Sequence, residues 1–170
     1  MKAQKMNASP RTAKRVDVET RLTDDHHQAL KLWLRLLSCT NLVEAQIRSR
    51  LRAQFATTLP RFDLLAQLER HPDGLKMSEL SRRLMVSGGN VTGLTDQLES
   101  EGLVARSDDP EDRRAYTVKL TAAGRTRFAR MAAVHEQWAI ELFAGLNARE
   151  KTQIHRLLAK LKLHLSGLAR

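Results

Sequence analysis

Cysteine occurs once in this 170-residue chain, at Cys39. One thiol excludes an intramolecular disulfide framework and any cysteine-based zinc finger. Aromatics are scarce at 4%, and there are only four prolines and eight glycines. That poverty, beside 27 leucines, argues against a sandwich or barrel and for helices. No run approaches about 18 uncharged apolar residues, so nothing in the sequence reads as a membrane span. The first twenty residues carry charge but no apolar stretch, so no signal peptide is expected and the chain reads as cytoplasmic. Nucleophile elbow, phosphate loop and paired acid–base signatures are all missing, so no enzymatic activity and no cofactor is expected. The six histidines show neither HxxxH spacing nor a His–carboxylate cluster and imply no metal.

What the chain has in excess is positive charge. Lys and Arg number 29 against 19 Asp and Glu, a net +10, and 42% of residues are apolar, enough for a real core. Twenty of the cations are Arg, the side chain that grips phosphate and guanine edges bidentately. The balance favours a polyanionic partner, whether nucleic acid, an anionic membrane or a phosphorylated ligand. The excess is uneven. Residues 71–115 hold six basic and nine acidic side chains, whereas residues 116–170 hold ten and three. Net charge therefore does not say where a polyanion sits, and its placement rests on motifs.

Residues 1–22 are polar and basic with no period, and read as a flexible arm preceding a single domain over 23–170. From 24 to 57 there is no Pro or Gly, and Leu30, Trp33, Leu34, Leu37, Ile47, Leu51 and Phe55 recur at helical spacing. Two helices meeting near Thr40 and Asn41 are expected there. Pro60 opens a further helix to about Arg70, stopped by His71-Pro72-Asp73-Gly74. A short helix from Ser78, with that serine as N-cap, runs to about Met85. Another runs from Ser87 to Gly102, a C′ glycine, with Val91, Leu94 and Leu98 as its apolar stripe. The period then changes: residues 103–106 and 115–120 read as two strands of a hairpin. Helices resume over 121–146 and from Ala148 to the end. The expected fold is mainly α with a small β-hairpin wing. Its winged helix-turn-helix spans 60–120, between dimerisation helices over 24–57 and 121–166. Those outer helices carry more apolar surface than so small a domain can cover, so a homodimer is expected.

The helix from Ser87 begins Ser87-Gly88-Gly89-Asn90-Val91-Thr92-Gly93. Unpaired amides at its start suit a phosphate oxygen, and three glycines cost roughly 1 kcal/mol each in helix propensity while letting backbone approach closely. Asn90 can bond adenine bidentately, and Thr92 can meet a base edge or a thymine methyl. Plain loosening of a surface helix is the bland alternative. In the hairpin loop, Arg113 and Arg114 can enter a minor groove, with Asp112 beside them to direct a guanidinium; a solvated charge cluster is the competing reading. Trp33, Leu37, Phe55 and Phe62 are candidates to line an apolar pocket and equally candidates for core. Arg48 and Arg52 share a helical face and Arg50 lies roughly opposite; together with an apolar slot they would suit an aromatic acyl-CoA. Cys39, between Ser38 and Thr40 in Leu-rich helix, reads as a buried inert thiol, with a redox sensor as the alternative. A non-specific architectural DNA-binding protein is a rival reading of the basic composition.

The stretch from Ser87 to Val104 (SGGNVTGLTDQLESEGLV), the loop DDPEDRR, the LTAAGR from Leu120 to Arg125 and the closing LFAGLNAREKTQIHRLLAKL together resemble the MarR-type winged-helix transcriptional regulators. The likeness covers roughly residues 25–166. It implies a homodimer on a pseudo-palindromic operator of double-stranded DNA, with a ligand pocket between the dimer helices and the reading domain. It also implies DNA contacts from Ser87, Gly88, Gly89, Asn90 and Thr92 and from the wing residues Arg113 and Arg114. The Gly88-Gly89 pair departs from the bulkier residues of many relatives. Residues 30–70 resemble the branch of the family answering to hydroxycinnamoyl-CoA thioesters, which implies a repressor released by a small aromatic or acyl-CoA effector.

Overall fold

The computed structural model describes residues 27–84, 88–108 and 116–168. Nine elements follow in order: α1 (Gln28–Phe55), α2 (Leu59–Glu69), β1 (Leu75–Lys76), α3 (Met77–Leu84), α4 (Gly88–Ser100), β2 (Val104–Asp108), β3 (Tyr116–Leu120), α5 (Ala122–Leu142) and α6 (Ala148–Leu168). The mainly helical reading with a small wing holds. The expected arm over residues 1–22 lies outside the described residues. Contacts divide the chain into two units within α1, the first ending at Glu44 and the second running from Ala45.

The break expected at Thr40 and Asn41 does not occur, and α1 runs 28 residues without interruption. Thr and Asn cost only a few tenths of a kcal/mol in helix propensity, and no Gly or Pro is present to stop propagation. The helix ends where Ala56 turns into the left-handed region at φ 49°, and the Thr57 N–H closes back on the Leu51 carbonyl at 3.3 Å. Leu51 is the one buried residue among those described in α1. Cys39, expected to be buried, is therefore exposed, because the leucine stripe around it is not covered within its unit.

The core of the second unit gathers Leu51, Leu64, Leu65, Leu68, Leu80, Val91, Leu98, Val104 and Val118. Helix α5 enters it with Gly124, Met131 and Trp138, seven residues apart and so on one face. The sheet has three strands in the order β1-β3-β2, one more than the sequence suggested. β1 is two residues long and pairs Leu75 with Val118 and Lys76 with Thr117. Too short for any alternation, it exists only through its partner strand. It also moves the start of α3 to Met77, so Ser78 lies inside the first turn and not at the N-cap.

The passage from α4 to the wing and back is built around Gly102, expected as a C′ glycine, and Thr121. Gly102 takes φ +69° just past α4, the left-handed geometry a C′ glycine allows. Thr121 caps α5 by accepting the Gly124 N–H at 3.0 Å. Its own hydroxyl donates to the Gly102 carbonyl at 2.7 Å, and its N–H reaches the Leu103 carbonyl at 3.1 Å. The LTAAGR run thus fastens the base of the hairpin to the head of α5.

Rings from three helices pack together beneath this base. The Phe62 ring lies 5.5 Å from Phe128 and 4.9 Å from His135, and Trp138 stands 6.1 Å from Phe55. Burial here pushes the His135 imidazole below its ordinary value of 6.5, since the charged form loses hydration. The unfolded chain takes up that proton first. Stability contributed by neutral His135 is therefore complete above 6.5 and is lost as pH falls from there to the lower folded value. Urea midpoints between about pH 7.5 and about pH 5.5 should show this loss, and His135→Phe should reduce it. An identical slope in the substituted protein would assign the dependence to other groups.

Candidate nucleic-acid interface

Helices α3 and α4 form the two arms of the helix-turn-helix, and α4 packs one face on the core. Val91, Thr95 and Leu98 are fully buried and Leu94 half-buried, so the expected stripe holds with Thr95 added to it. That threonine escaped a hydrophobicity reading because it is polar, but its hydroxyl donates to the Val91 carbonyl at 2.8 Å and needs no water. Gly88, Gly89, Asn90, Thr92, Gly93, Asp96 and Gln97 remain exposed. Ser87, Arg113 and Arg114 lie outside the described residues, as does Asp112.

A Cβ added at Gly88, Gly89 or Gly93 would meet nothing within 4 Å. No neighbour inside the unit requires these glycines, and what they provide is room on the outer surface. Gly89, Asn90, Gly93, Leu94 and Gln97 line one side of a groove of about 360 Å³, closed on the other by Pro60 at the head of α2. Asn90 is exposed on the helix's first turn and lines this groove. Thr92 is occupied locally, its hydroxyl donating to the Gly88 carbonyl at 3.1 Å.

Four of the nine acidic side chains in residues 71–115 form ion pairs. Glu79 binds Arg83 at 2.6 Å, a hydrogen bond that holds its carboxyl below the usual carboxylate range. Glu101 pairs with Arg61 of α2. Asp96 and Glu99 of α4 both take Arg106 of β2, the second at 3.1 Å. Arg106 itself was not singled out, because its partners lie ten and seven residues away on a different element.

The candidate effector residues are divided between the two units. Trp33 and Leu37 are exposed on α1 within the first unit. Phe62 is 6% exposed and wedged between Phe128 and His135, so it serves the core and not a pocket. Arg50 binds Glu141 at 2.6 Å and lies 6.0 Å from the Trp138 ring, apart from Arg48 and Arg52, which are exposed. Phe55 is half-buried and edges a cleft of about 430 Å³ with Ala53, Gln54, Ala56, Arg127 and Arg130. The two α5 arginines were missed, since nothing in their spacing connects them to the end of α1. Among the described residues no three His, Cys, Asp or Glu side chains gather as a metal site, and no helix is long and apolar enough to cross a membrane.

Comparison with known proteins agrees with this geometry. The profile of the MarR family matches residues 57–116, from the end of α1 to the start of β3. The HTH-type transcriptional regulator YdgJ of Bacillus subtilis (strain 168) is 32% identical over 108 residues, which are 64% of this chain and 65% of that protein. The chain thus spans just under two thirds of that relative's length. A MarR family transcriptional regulator from Silicibacter pomeroyi is 30% identical in its crystal structure, with a TM-score of 0.71 covering 84% of this chain and 99% of that one. Bordetella bronchiseptica BpsR, whose structure concerns regulation of DNA binding by 6-hydroxynicotinic acid, is 26% identical with a TM-score of 0.68, covering 78% and 98%. With the helix-turn-helix, the three-stranded wing and the capped LTAAGR turn all in place, the chain belongs to the MarR family of transcriptional regulators.

Proposed function

We propose that this chain is a cytoplasmic, homodimeric regulator that binds double-stranded DNA through α4 and its wing and is released from an operator by a small aromatic effector. The observation that carries the DNA reading is the outer face of α4. It offers an exposed amide between glycines whose missing side chains no intramolecular packing explains. A helix with that surface can sink into a major groove, where Asn90 would meet base edges. Arg113 and Arg114 would reach flanking minor grooves.

Support for a dimer comes from α6. None of its 21 residues is buried, yet Ile154, Leu157, Leu158 and Leu165 lie exposed, and Ile154 and Leu158 line a cleft with Ile140 and Phe143 of α5. Such a surface is far more apolar than water tolerates in a monomer. A second copy related by a two-fold axis would cover it and set two α4 helices on half-sites roughly 10 bp apart.

For the effector, the cleft at the end of α1 is lined by Phe55, Arg127 and Arg130, with Arg127 donating to the Phe55 carbonyl at 3.2 Å. That combination suits an aromatic acid, and BpsR, a neighbour in structure, is regulated by one. A hydroxycinnamoyl-CoA thioester remains the form we favour, its phosphates meeting the exposed Arg48 and Arg52. The test begins by selecting duplexes from a random-sequence library and measuring their release by fluorescence anisotropy. Micromolar hydroxycinnamoyl-CoA should release the duplex while the free acid does little. Release by the free acid alone would replace the thioester with the acid. Release by neither would remove aromatic effectors from the account and leave the DNA reading standing.

A further inference from the structure

Arg106 is joined to α4 by both its main chain and its side chain. Its N–H donates to a Glu99 carboxylate oxygen at 3.2 Å. Its guanidinium pairs with Glu99 at 3.1 Å and with Asp96. Asp96 and Glu99 are three residues apart, so they sit one above the other on a helix. The fork geometry of a guanidinium lets it hold both at once. At the other end, Arg106 is locked in the ladder opposite Val118, itself paired with Leu75 of β1. Val104, two residues earlier on the same face of the strand, is buried in the core. Arg106 thus lies at the junction of three elements: the candidate reading helix, the strand leading out to the wing, and the sheet behind it.

Such a pair contributes little to stability. Asp96 and Glu99 keep 55% and 38% of their side-chain surface in water, and ion pairs that exposed are nearly neutral to folding. Geometry is a better account. Arg106 lies at the middle of β2, two residues before its last residue, Asp108, and Arg113 and Arg114 follow later in the sequence. A side chain that ties β2 to α4 by main-chain and side-chain bonds at once fixes the angle between strand and helix.

We propose that Arg106 is a positioning residue, clamping the wing to the reading helix through Asp96 and Glu99, and that sequence selectivity depends on the clamp. This rests on the DNA-binding reading above. The alternative for an arginine in such a place is a direct phosphate contact. The two differ in sign at the carboxylates. If Arg106 positions, removing its acidic partners loosens the wing and weakens operator binding. If it grips phosphate, removing them releases a cation and strengthens binding to every duplex.

The experiment compares the full-length wild type with Arg106→Ala, Arg106→Lys, Arg106→Asp, the double variant Asp96→Asn with Glu99→Gln, and the exchange Arg106→Asp with Asp96→Arg. Each is measured by anisotropy on the selected operator and on a random duplex, over a salt series, with thermal melting as control. Arg106→Ala and the double amide variant should each lower the operator-to-random affinity ratio by about tenfold. Melting midpoint, random-duplex affinity and salt slope should stay as in wild type. Arg106→Lys should recover part of the ratio, and the exchanged pair should recover more than Arg106→Asp alone. Equal losses on both duplexes with a salt slope reduced by about one unit, or tighter binding by the double amide variant, would overturn the clamp and make Arg106 a phosphate contact. A wild-type ratio near one would overturn the reading on which the clamp rests. A high wild-type ratio that Arg106→Ala leaves intact would overturn the clamp alone.

Discussion

Replacing Gly124 by alanine is expected to lower the melting midpoint by roughly 10 °C, the largest change any single methyl group should produce in this protein. The new Cβ would overlap the Leu103 carbonyl oxygen and stand 2.9 Å from its carbon. Both partners are backbone, so no rotamer change can clear the contact. Nor can α5 simply withdraw. Thr121 at its head is held to the Gly102 and Leu103 carbonyls at 2.7 and 3.1 Å, and a shift would break those bonds and the cap they share. Overpacking of this kind costs roughly 3 kcal/mol at the upper end of its usual range. For a chain of this size each kcal/mol is worth roughly 2–4 °C. Gly167→Ala is the control: its Cβ would meet nothing within 4 Å, and its midpoint should hold or rise slightly. Melting curves by circular dichroism decide the matter. A Gly124→Ala protein melting within about 2 °C of wild type would mean that the hairpin base yields more easily than its hydrogen bonds imply.

Asn90→Ala is expected to weaken operator binding by roughly 1–3 kcal/mol while changing random-duplex affinity much less. Asn90 is exposed on the first turn of α4, beside the groove shared with Gly89, Gly93 and Pro60. An amide there has both a donor and an acceptor to offer one adenine. Thr92→Val should cost less, because the Thr92 hydroxyl already donates to Gly88 and the isosteric valine keeps the methyl that a thymine would touch. Anisotropy titrations on both duplexes provide the comparison. Equal losses at operator and random DNA would show that Asn90 holds phosphate, and a larger loss for Thr92→Val would move the main base contact from Asn90 to Thr92.

Much of the architecture was legible because its signals are local. Leucines at helical spacing, Pro60 at the head of α2, Gly102 past the end of α4 and Thr121 three residues before Gly124 all act within a turn or two of themselves. They announce the element order with no knowledge of what packs against what. Even the small-residue surface of α4 was visible, since exposure followed from the period of its buried stripe.

Other features depend on partners far along the chain and had no local trace. β1 is a strand only because Val118 and Thr117 lie beside it. Thr95 joins the core because Val91 offers a carbonyl one turn back and the core closes over both. Phe62 turned out to be core, and Arg50 turned to Glu141, 91 residues away, where both had been candidates for a ligand. Arg106 gained its place through carboxylates on a different element. The sequence by itself determined the helical character, the C′ glycine after α4, the hairpin and the exposed face of α4, because hydrophobic period and backbone capping are short-range. Tertiary structure alone decided which charges are neutralised and which rings are buried, because ion pairing and burial are set by what the folded chain brings within a few ångström.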